Sequence, residues 1–168
     1  LPFNDCEQDC LGDWGGNGYP EALLILEDAH VVPGDTLVVP LYLTSNESVG
    51  GVQFTIATDM PGVLVPVGIE SMDPCFSANY NVIDEGQLLG IIFSFEGCVY
   101  PPEEMLEIAH LIFNVSDDAP LGNYVEMFFN DTIVSDSIGN EIPSYGNGSF
   151  ITIGTQGDIN ADGDLNVL

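Results

Sequence analysis

The stretch 33-PGDTLVVPLYL-43 decides how this chain folds. Its first three residues favour a tight turn, and an apolar run follows them directly. From Leu37 to Leu43 every second residue is apolar, so one face of a strand can lie on a core while the other faces outward. The stretch 52-VQFTIAT-58 repeats this alternation. Both stretches predict strands of a sheet with one buried face.

Short apolar runs separated by turn residues continue through most of the chain, which is typical of an all-β sandwich or barrel. The segment 102-PEEMLEIAHL-111 comes nearest to a helical pattern, but the IFNV that follows it favours a strand. We predict a β-domain over residues 21–153, a leader over 1–20 and a closing segment over 154–168. The predicted strand runs are ALLILEDAHVV, TLVVPLYLT, GVQFTIAT, VLVPVGIESM, LLGIIFSF, MLEIAHLIFNV, NYVEMFFN, TIVSD and SFITIG.

The charge balance of the chain is extreme. Its 168 residues include 27 Asp and Glu but no Lys or Arg, so the formal net charge is -27. Nucleic acid is excluded as a partner because no cationic side chain can neutralise phosphates, and an anionic membrane surface is excluded for the same reason. A divalent cation with a preference for oxygen ligands, such as calcium, is the expected counter-charge.

Four cysteines divide into a pair in the leader, Cys6 and Cys10, and a distant pair, Cys75 and Cys98. Four cysteines allow three disulfide connectivities, and we favour pairing within each pair. The pattern predicts an oxidising, extracellular location. No signal peptide or membrane-spanning apolar run is visible, so the chain reads as a mature secreted form.

The closing stretch 157-GDINADGDLNVL-168 has the spacing of a calcium-binding loop of the EF-hand type. Gly163 takes the sixth position, where a sharp turn is needed, and the twelfth position would fall one residue beyond Leu168. The missing ligand could come from a longer natural chain or from another subunit. The structural alternative is a turn without metal, because Asp, Asn and Gly also favour turns. The predicted ligands are Asp158, Asn160, Asp162, Asp164 and Asn166.

Several segments together resemble the cohesin-like module, and the match covers roughly residues 22–153. The resemblance implies a nine-stranded jelly-roll β-sandwich from secreted multi-protein assemblies, with a non-catalytic role in protein binding. The closing loop is similar to the first calcium loop of a dockerin, the module that cohesins bind. A dockerin has two loops, each followed by a helix, whereas this chain shows one incomplete loop. The segments that carry the resemblance are 33-PGDTLVVPLYL-43, 50-GGVQFTI-56, 63-VLVPVGIES-71, 109-AHLIFNVSDDAPLGNY-124 and 133-IVSDSIGNEIP-143.

Three functional hypotheses follow, and none is enzymatic. The first is a calcium-dependent, self-associating subunit of an extracellular fibre. The second is a cohesin-type module that recruits a dockerin-bearing partner within a larger secreted enzyme or scaffold. The third is a carbohydrate-binding domain that uses Trp14, Tyr80 and Tyr100. No catalytic motif is present, and His30 and His110 are expected at the edge of the core rather than as catalytic bases.

Two further sets of residues are candidate sites. Acidic pairs could bind additional calcium, although a solvated surface is the default interpretation; they are Glu27 with Asp28, Glu103 with Glu104, and Asp117 with Asp118. The sequence also contains four N-x-S/T sequons, which are acceptor sites for N-linked glycans in secreted proteins. Their asparagines are Asn46, Asn114, Asn130 and Asn147.

Overall fold

The structure is a computed structural model that describes residues 21–154. The leader with Cys6, Cys10 and Trp14, and the predicted calcium loop, lie outside the described residues. A single 3₁₀ turn, Asp84–Gly86, is the only helical segment within 21–154, and no helix in that range is long and apolar enough to cross a membrane. The strands are β1 (Ala22–Leu26), β2 (Ala29–Val31), β3 (Thr36–Ser45), β4 (Gly51–Thr58), β5 (Leu64–Ser71), β6 (Ser77–Ile83), β7 (Gln87–Phe93), β8 (Glu103–Val115), β9 (Tyr124–Ser135), β10 (Glu141–Ile142), β11 (Ser144–Asn147) and β12 (Ser149–Ile153).

The strands form two sheets that pack face to face as a jelly-roll sandwich. The first sheet has the order β11-β1-β3-β8-β5, and the second has the order β2-β12-β9-β4-β7-β6 with β10 added beside β9. Most neighbours are antiparallel, but β1 pairs with β11 and β2 with β12 in parallel. The predicted all-β sandwich is therefore confirmed, and 102–111 belongs to a strand rather than to a helix.

The alternation read from the sequence places the core. In β3 the residues Leu37, Val39, Leu41 and Leu43 are all buried. They pack with the inward residues of the other long strands, and a sandwich of this kind buries its apolar side chains between two sheets about 10 Å apart. The largest fully buried side chains are Phe54, Phe113, Leu24, Leu41, Leu43, Ile56, Leu88, Ile92, Ile108, Leu111, Met127 and Ile151.

The number of strands exceeds the expected nine because several are short. The run ALLILEDAHVV divides at the exposed residues Glu27 and Asp28 into β1 and β2, whereas NYVEMFFN and TIVSD join into the single strand β9. The sequence reading missed β6, β10 and β11, which are polar or very short.

One glycine has a structural role that composition alone does not reveal. A Cβ atom at Gly90 in β7 would lie 2.3 Å from the ring of Phe54 and 2.8 Å from the side chain of Ile69. Phe54 comes from the neighbouring strand β4, directly opposite Gly90, and its ring occupies the space above the glycine. The absence of a side chain at position 90 therefore allows the ring of Phe54 to enter the core.

The second cysteine pair forms a disulfide. Cys75 and Cys98 are bonded with a Cα–Cα distance of 6.3 Å and a sequence separation of 23 residues. The bond ties the start of β6 to the segment after β7 at the open edge of the second sheet. This edge strand has a partner on one side only, so a covalent tie there restricts local opening.

We predict that Gly90→Ala lowers the free energy of unfolding by about 1–3 kcal/mol, because overpacking forces Phe54 or the backbone to move. Urea denaturation followed by circular dichroism measures this change. Gly68→Ala is the matched control, since its Cβ would meet Ile112 at an ordinary contact distance of 3.5 Å. Equal midpoints for the two variants would contradict the packing argument.

We also predict that the double variant Cys75→Ser/Cys98→Ser loses about 3 kcal/mol of stability, the value expected from closing a loop of this length. Thermal unfolding without reductant compares the variant with the parent chain. Adding a reductant should lower the midpoint of the parent chain toward that of the variant. A variant as stable as the parent under oxidising conditions would show that the bond does not contribute.

Candidate protein-binding face

The outward face of four neighbouring strands in the second sheet is the main candidate site. The register aligns its side chains in two rows that cross β6, β7, β4 and β9 in that order. We call these eight residues the docking face. The first row is Asn79, Ile91, Gln53 and Ile133, and the second row is Asn81, Leu89, Thr55 and Asp131.

Three of the eight side chains of this face are apolar. Leu89 and Ile91 are half-buried on β7, and Ile133 on β9 is 40 % exposed. The other five side chains are polar and only one of them is charged; they are Asn79, Asn81, Gln53, Thr55 and Asp131. Protein–protein interfaces are likewise poor in charged residues and mix apolar with uncharged polar side chains.

Aromatic side chains extend the apolar surface at its margins. Phe128 on β9 is exposed, and further along the same strand Tyr124 packs edge-to-face on Phe150 of β12, with ring centroids 5.7 Å apart. At the other end Phe93 makes a similar contact with Phe95, which is 83 % exposed. Exposed aromatic clusters of this kind are enriched where a protein meets a partner.

A small cleft adjoins the face where β4 and β9 approach the 3₁₀ turn. Its volume is about 160 Å³, and Phe128, Asn130, Gln87 and Glu85 are among its walls. The side-chain amide of Asn130 donates a hydrogen bond of 2.8 Å to Oε1 of Gln87. Glu85 has a φ of 57°, a backbone conformation that is costly for a residue with a side chain.

The charged side chains on and around the docking face are all carboxylates. Asp131 lies within it, and Glu126 and Asp59 lie beyond its border, where Oδ1 of Asp59 accepts a hydrogen bond from the backbone N–H of Glu126. The chain has no Lys or Arg to balance these groups. A partner with cationic or neutral polar groups is therefore favoured, and an acidic partner is opposed.

None of the acidic pairs belongs to a group of three His, Cys, Asp or Glu side chains with close ligand atoms among residues 21–154, and calcium binding at these pairs stays a prediction. Within this range the only group of three ligand-type side chains with close ligand atoms is Cys75, Glu96 and Cys98. Its two sulfurs form the disulfide, so they do not offer thiolates to a metal ion. Glu27, Asp28, Glu103, Glu104, Asp117 and Asp118 are exposed. Asp28 instead accepts a hydrogen bond from the backbone N–H of Phe150.

The two histidines lie on the surface rather than at the edge of the core. His30 on β2 is exposed, and its ring packs over Gly154. His110 is half-buried on the outer face of the first sheet, where its Nε2 contacts a carboxylate oxygen of Glu107. No nucleophile is hydrogen-bonded to either ring among the described residues.

Of the aromatic residues predicted to bind carbohydrate, the two that lie within the described residues, Tyr80 and Tyr100, do not form a platform, which corrects that part of the third hypothesis. Tyr100 is buried and its ring stacks on Phe76, with centroids 3.8 Å apart and planes within 8°. Tyr80 is partly exposed, but its hydroxyl donates to the carbonyl oxygen of Val67 at 2.7 Å and so ties β6 to β5 of the other sheet. Sugar-binding rings need an open face, which Tyr100 does not have.

Comparison with known proteins identifies the same fold. No protein-family model matches the sequence, and no curated protein matches it. A cohesin of Clostridium acetobutylicum, solved in complex with a dockerin, shares 18 % identity with a TM-score of 0.67 over 79 % of this chain and 99 % of that chain. The sixth cohesin of Acetivibrio cellulolyticus scaffoldin B, also in complex with a dockerin, shares 18 % identity with a TM-score of 0.64 over 79 % and 98 %.

An archaeal structure has the same architecture. The non-cellulosomal cohesin of Archaeoglobus fulgidus shares 15 % identity with a TM-score of 0.61, over 79 % of this chain and 91 % of that chain. At these identities the comparisons show the fold alone. The chain therefore has a cohesin-like jelly-roll fold, as the sequence resemblance predicted.

The sequence did not reveal the docking face, although it did contain a weak signal. Leu89 and Ile91 belong to an apolar run that reads as wholly buried, and only the pairing across four strands shows that they point outward. The strand β6 has the mostly polar, uncharged sequence SANYNVI, which does not alternate between apolar and polar residues. A run that is apolar on both faces is the signal that would have indicated a second contact surface.

Burial raises the pKa of Tyr100 to about 12, and a pH-dependent stability follows. At neutral pH the phenol is protonated in both the folded and unfolded states, so the shift has no effect. Above about pH 10 the unfolded chain ionises first, and the folded state loses stability until the pH passes the folded pKa. The full loss amounts to roughly 2 kcal/mol.

We therefore predict that Tyr100→Phe, which keeps the stacked ring, resists alkaline unfolding better than the parent chain. Urea midpoints measured from pH 8 to pH 11.5 should diverge only above about pH 10. Tyr124→Phe is the control, because its ring is 61 % exposed. If the urea midpoints of Tyr100→Phe and Tyr124→Phe both fall with pH as the parent chain's do, the buried phenol does not determine the loss of stability at high pH.

Proposed function

We propose that this chain is a non-catalytic protein-binding module that recruits a dockerin-bearing partner through the docking face. The observation that supports the proposal is an outward sheet face on a cohesin-like fold that carries three apolar residues and only one charge. Two of the structural relatives were solved in complex with dockerins. The disulfide between Cys75 and Cys98 favours an extracellular setting for this interaction.

The three apolar residues would supply most of the binding free energy. Fully burying an Ile or Leu side chain contributes about 1.5–3 kcal/mol, so Leu89, Ile91 and Ile133 together provide several kcal/mol. Sheet faces are rigid, so little conformational freedom is lost on binding. The polar side chains of the face, such as Asn79 and Asn81, would orient the partner by hydrogen bonds.

The negative charge of the chain would select among partners. Carboxylates such as Asp131, Glu126 and Glu85 lie on or beside the face and attract a partner that carries Lys or Arg. This attraction acts at long range and accelerates association, and salt screens it. We expect the association rate to fall as the salt concentration rises, with a smaller effect on dissociation.

The calcium-dependent self-assembly expected from the closing loop remains a prediction, because Asp158, Asn160, Asp162, Asp164 and Asn166 lie outside the described residues. Structural similarity to cohesins in dockerin complexes supports recruitment of a dockerin-bearing protein better than it supports self-association. The two alternatives differ in a simple respect. Self-assembly requires a change in the size of the isolated chain when calcium is added, whereas recruitment does not.

The decisive experiment titrates the full chain with dockerin modules encoded in the same genome, expressed one at a time, in calcium and in a chelator. At least one module is expected to bind in calcium. Ile91→Asp and Ile133→Asp should each weaken that binding by more than about tenfold, because each buries an unpaired carboxylate in the interface.

The matched control is Val65→Asp, which adds the same charge on the opposite sheet at a residue whose exposure is similar to that of Ile133. This variant should bind like the parent chain. Binding that is equally reduced in all three variants would indicate a general effect of charge. Failure of every dockerin module to bind would reject the proposed partner class.

A further inference from the structure

We propose that Asn147 carries an N-linked glycan, attached before the domain completes its folding. The sequon is 147-NGS-149, at the junction of β11 and β12. This inference does not depend on the proposed docking function. The chain has more sequons than chance predicts, and one buried hydroxyl group, that of Ser149, singles out the sequon of Asn147.

The sequons are more frequent than chance allows. Seventeen of the 168 residues are Ser or Thr, about one in ten, so the eight asparagines of residues 21–154 should begin about one sequon. Four of the eight do so, and all four asparagines are exposed. Exposure is needed for a bulky, hydrated modification to be tolerated on the folded surface.

The third residue of this sequon, Ser149, differs from the third residues of the other three sequons. Its side chain is 2 % exposed, and its hydroxyl group has no hydrogen-bond partner among the described residues. A buried polar group without a partner destabilises a fold, and alanine would fit the same space without that cost. Folding therefore gives no reason for a hydroxyl group here, whereas the sequon requires one.

The corresponding residues of two other sequons have structural roles. The hydroxyl of Thr132, which completes the Asn130 sequon, lies 2.9 Å from that of Ser144. The hydroxyl of Ser116, which completes the Asn114 sequon, accepts a hydrogen bond from the backbone N–H of Asp118. The residues of those sequons are explained by the fold alone.

The middle position of the sequon is fixed by the fold as well. A Cβ atom at Gly148 would lie 2.0 Å from the carbonyl oxygen of Met127, so only glycine fits between the two strands. Asn147 itself is exposed and points outward on the first sheet, on the same side as Tyr145. A glycan there would project away from the docking face, on the other side of the sandwich.

The burial of Ser149 also sets the order of events. A transferase that recognises the Ser hydroxyl cannot reach it in the folded domain, so the transfer must precede the pairing of β12 with β9. In the transfer, Nδ2 of Asn147 forms a bond to the anomeric carbon of a lipid-linked oligosaccharide. The bond from that carbon to the lipid phosphate breaks, the phosphate leaves with the electron pair, and the amide proton passes to solvent.

The test begins with the protein purified from its own source and digested with a protease that cleaves after Glu. Trypsin is unsuitable because the chain has no Lys or Arg. Cleavage after Glu27, Glu47, Glu107, Glu126 and Glu141 places the asparagine of each sequon on a separate peptide. The peptide that begins at Ile142 is expected to carry a discrete glycan mass on Asn147, and an unmodified peptide would overturn the proposal.

Variants produced in the same host separate modification from structure. Asn147→Gln and Ser149→Ala should both remove the glycan from the peptide that begins at Ile142, whereas Asn123→Gln, at an exposed asparagine outside any sequon and outside the docking face, should leave it in place. Unglycosylated Ser149→Ala made in a bacterial host without N-glycosylation should unfold at the same or a higher urea concentration than the unglycosylated parent. A lower midpoint would give Ser149 a structural role and refute the argument.

A separate experiment tests whether the glycan is transferred before the domain folds. A synthetic peptide covering 142–154 should accept a glycan from membranes of the source organism, whereas the folded, unglycosylated chain should not. Equal modification of both would overturn transfer before folding.

Discussion

The absence of basic side chains is the constraint on which the rest of the structure depends. With no Lys or Arg, carboxylates must find other hydrogen-bond donors, and backbone N–H groups provide them. Asp28 accepts from Phe150, Asp59 accepts from Glu126, and Asp136 accepts from both Ile138 and Asn140. Hydrogen bonds from the Asn140 side chain and from the backbone lower the pKa of Asp136, which shows that the charged form is the one stabilised. Carboxylates thus hold turns and strand ends together in the places where other proteins use salt bridges.

The same constraint shapes what the surface can bind. A chain of net charge -27 repels copies of itself, so a contact surface must be nearly uncharged or must meet a cationic partner. The docking face satisfies the first condition, with Asp131 as its one carboxylate among eight residues. The nearby carboxylates satisfy the second, because they attract Lys or Arg from a distance without being buried. Removing a carboxylate from water without a partner would cost several kcal/mol, so a face that is covered by a partner tolerates few carboxylates.

The sequence predicted the fold well because alternation and turn residues are local signals. The strands β3 and β4 were predicted from apolar alternation and β8 from the IFNV that follows its helix-like start, and the favoured Cys75–Cys98 pairing is present in the structure. The docking face could not be read in this way, because its rows join residues as distant as Asn79 and Ile133. Tyr100 was assigned to a surface for a related reason: its burial depends on stacking with Phe76, a contact across 24 residues that no local pattern encodes.

A single β-bulge in β9 determines which residues of that strand point outward on the docking face. Before the irregularity the even-numbered residues, such as Phe128, point outward; after it the odd-numbered Ile133 does so, because the register shifts between Thr55 and Ile56 of the partner strand. One inserted residue reverses the side of every residue that follows, so without this bulge Val134 would face solvent and Ile133 would enter the core. The bulge also turns Thr132 inward, toward the hydroxyl of Ser144. Ile133, the apolar residue that β9 contributes to the docking face, therefore points outward because of a bulge at Asn130 rather than because β9 is hydrophobic as a whole.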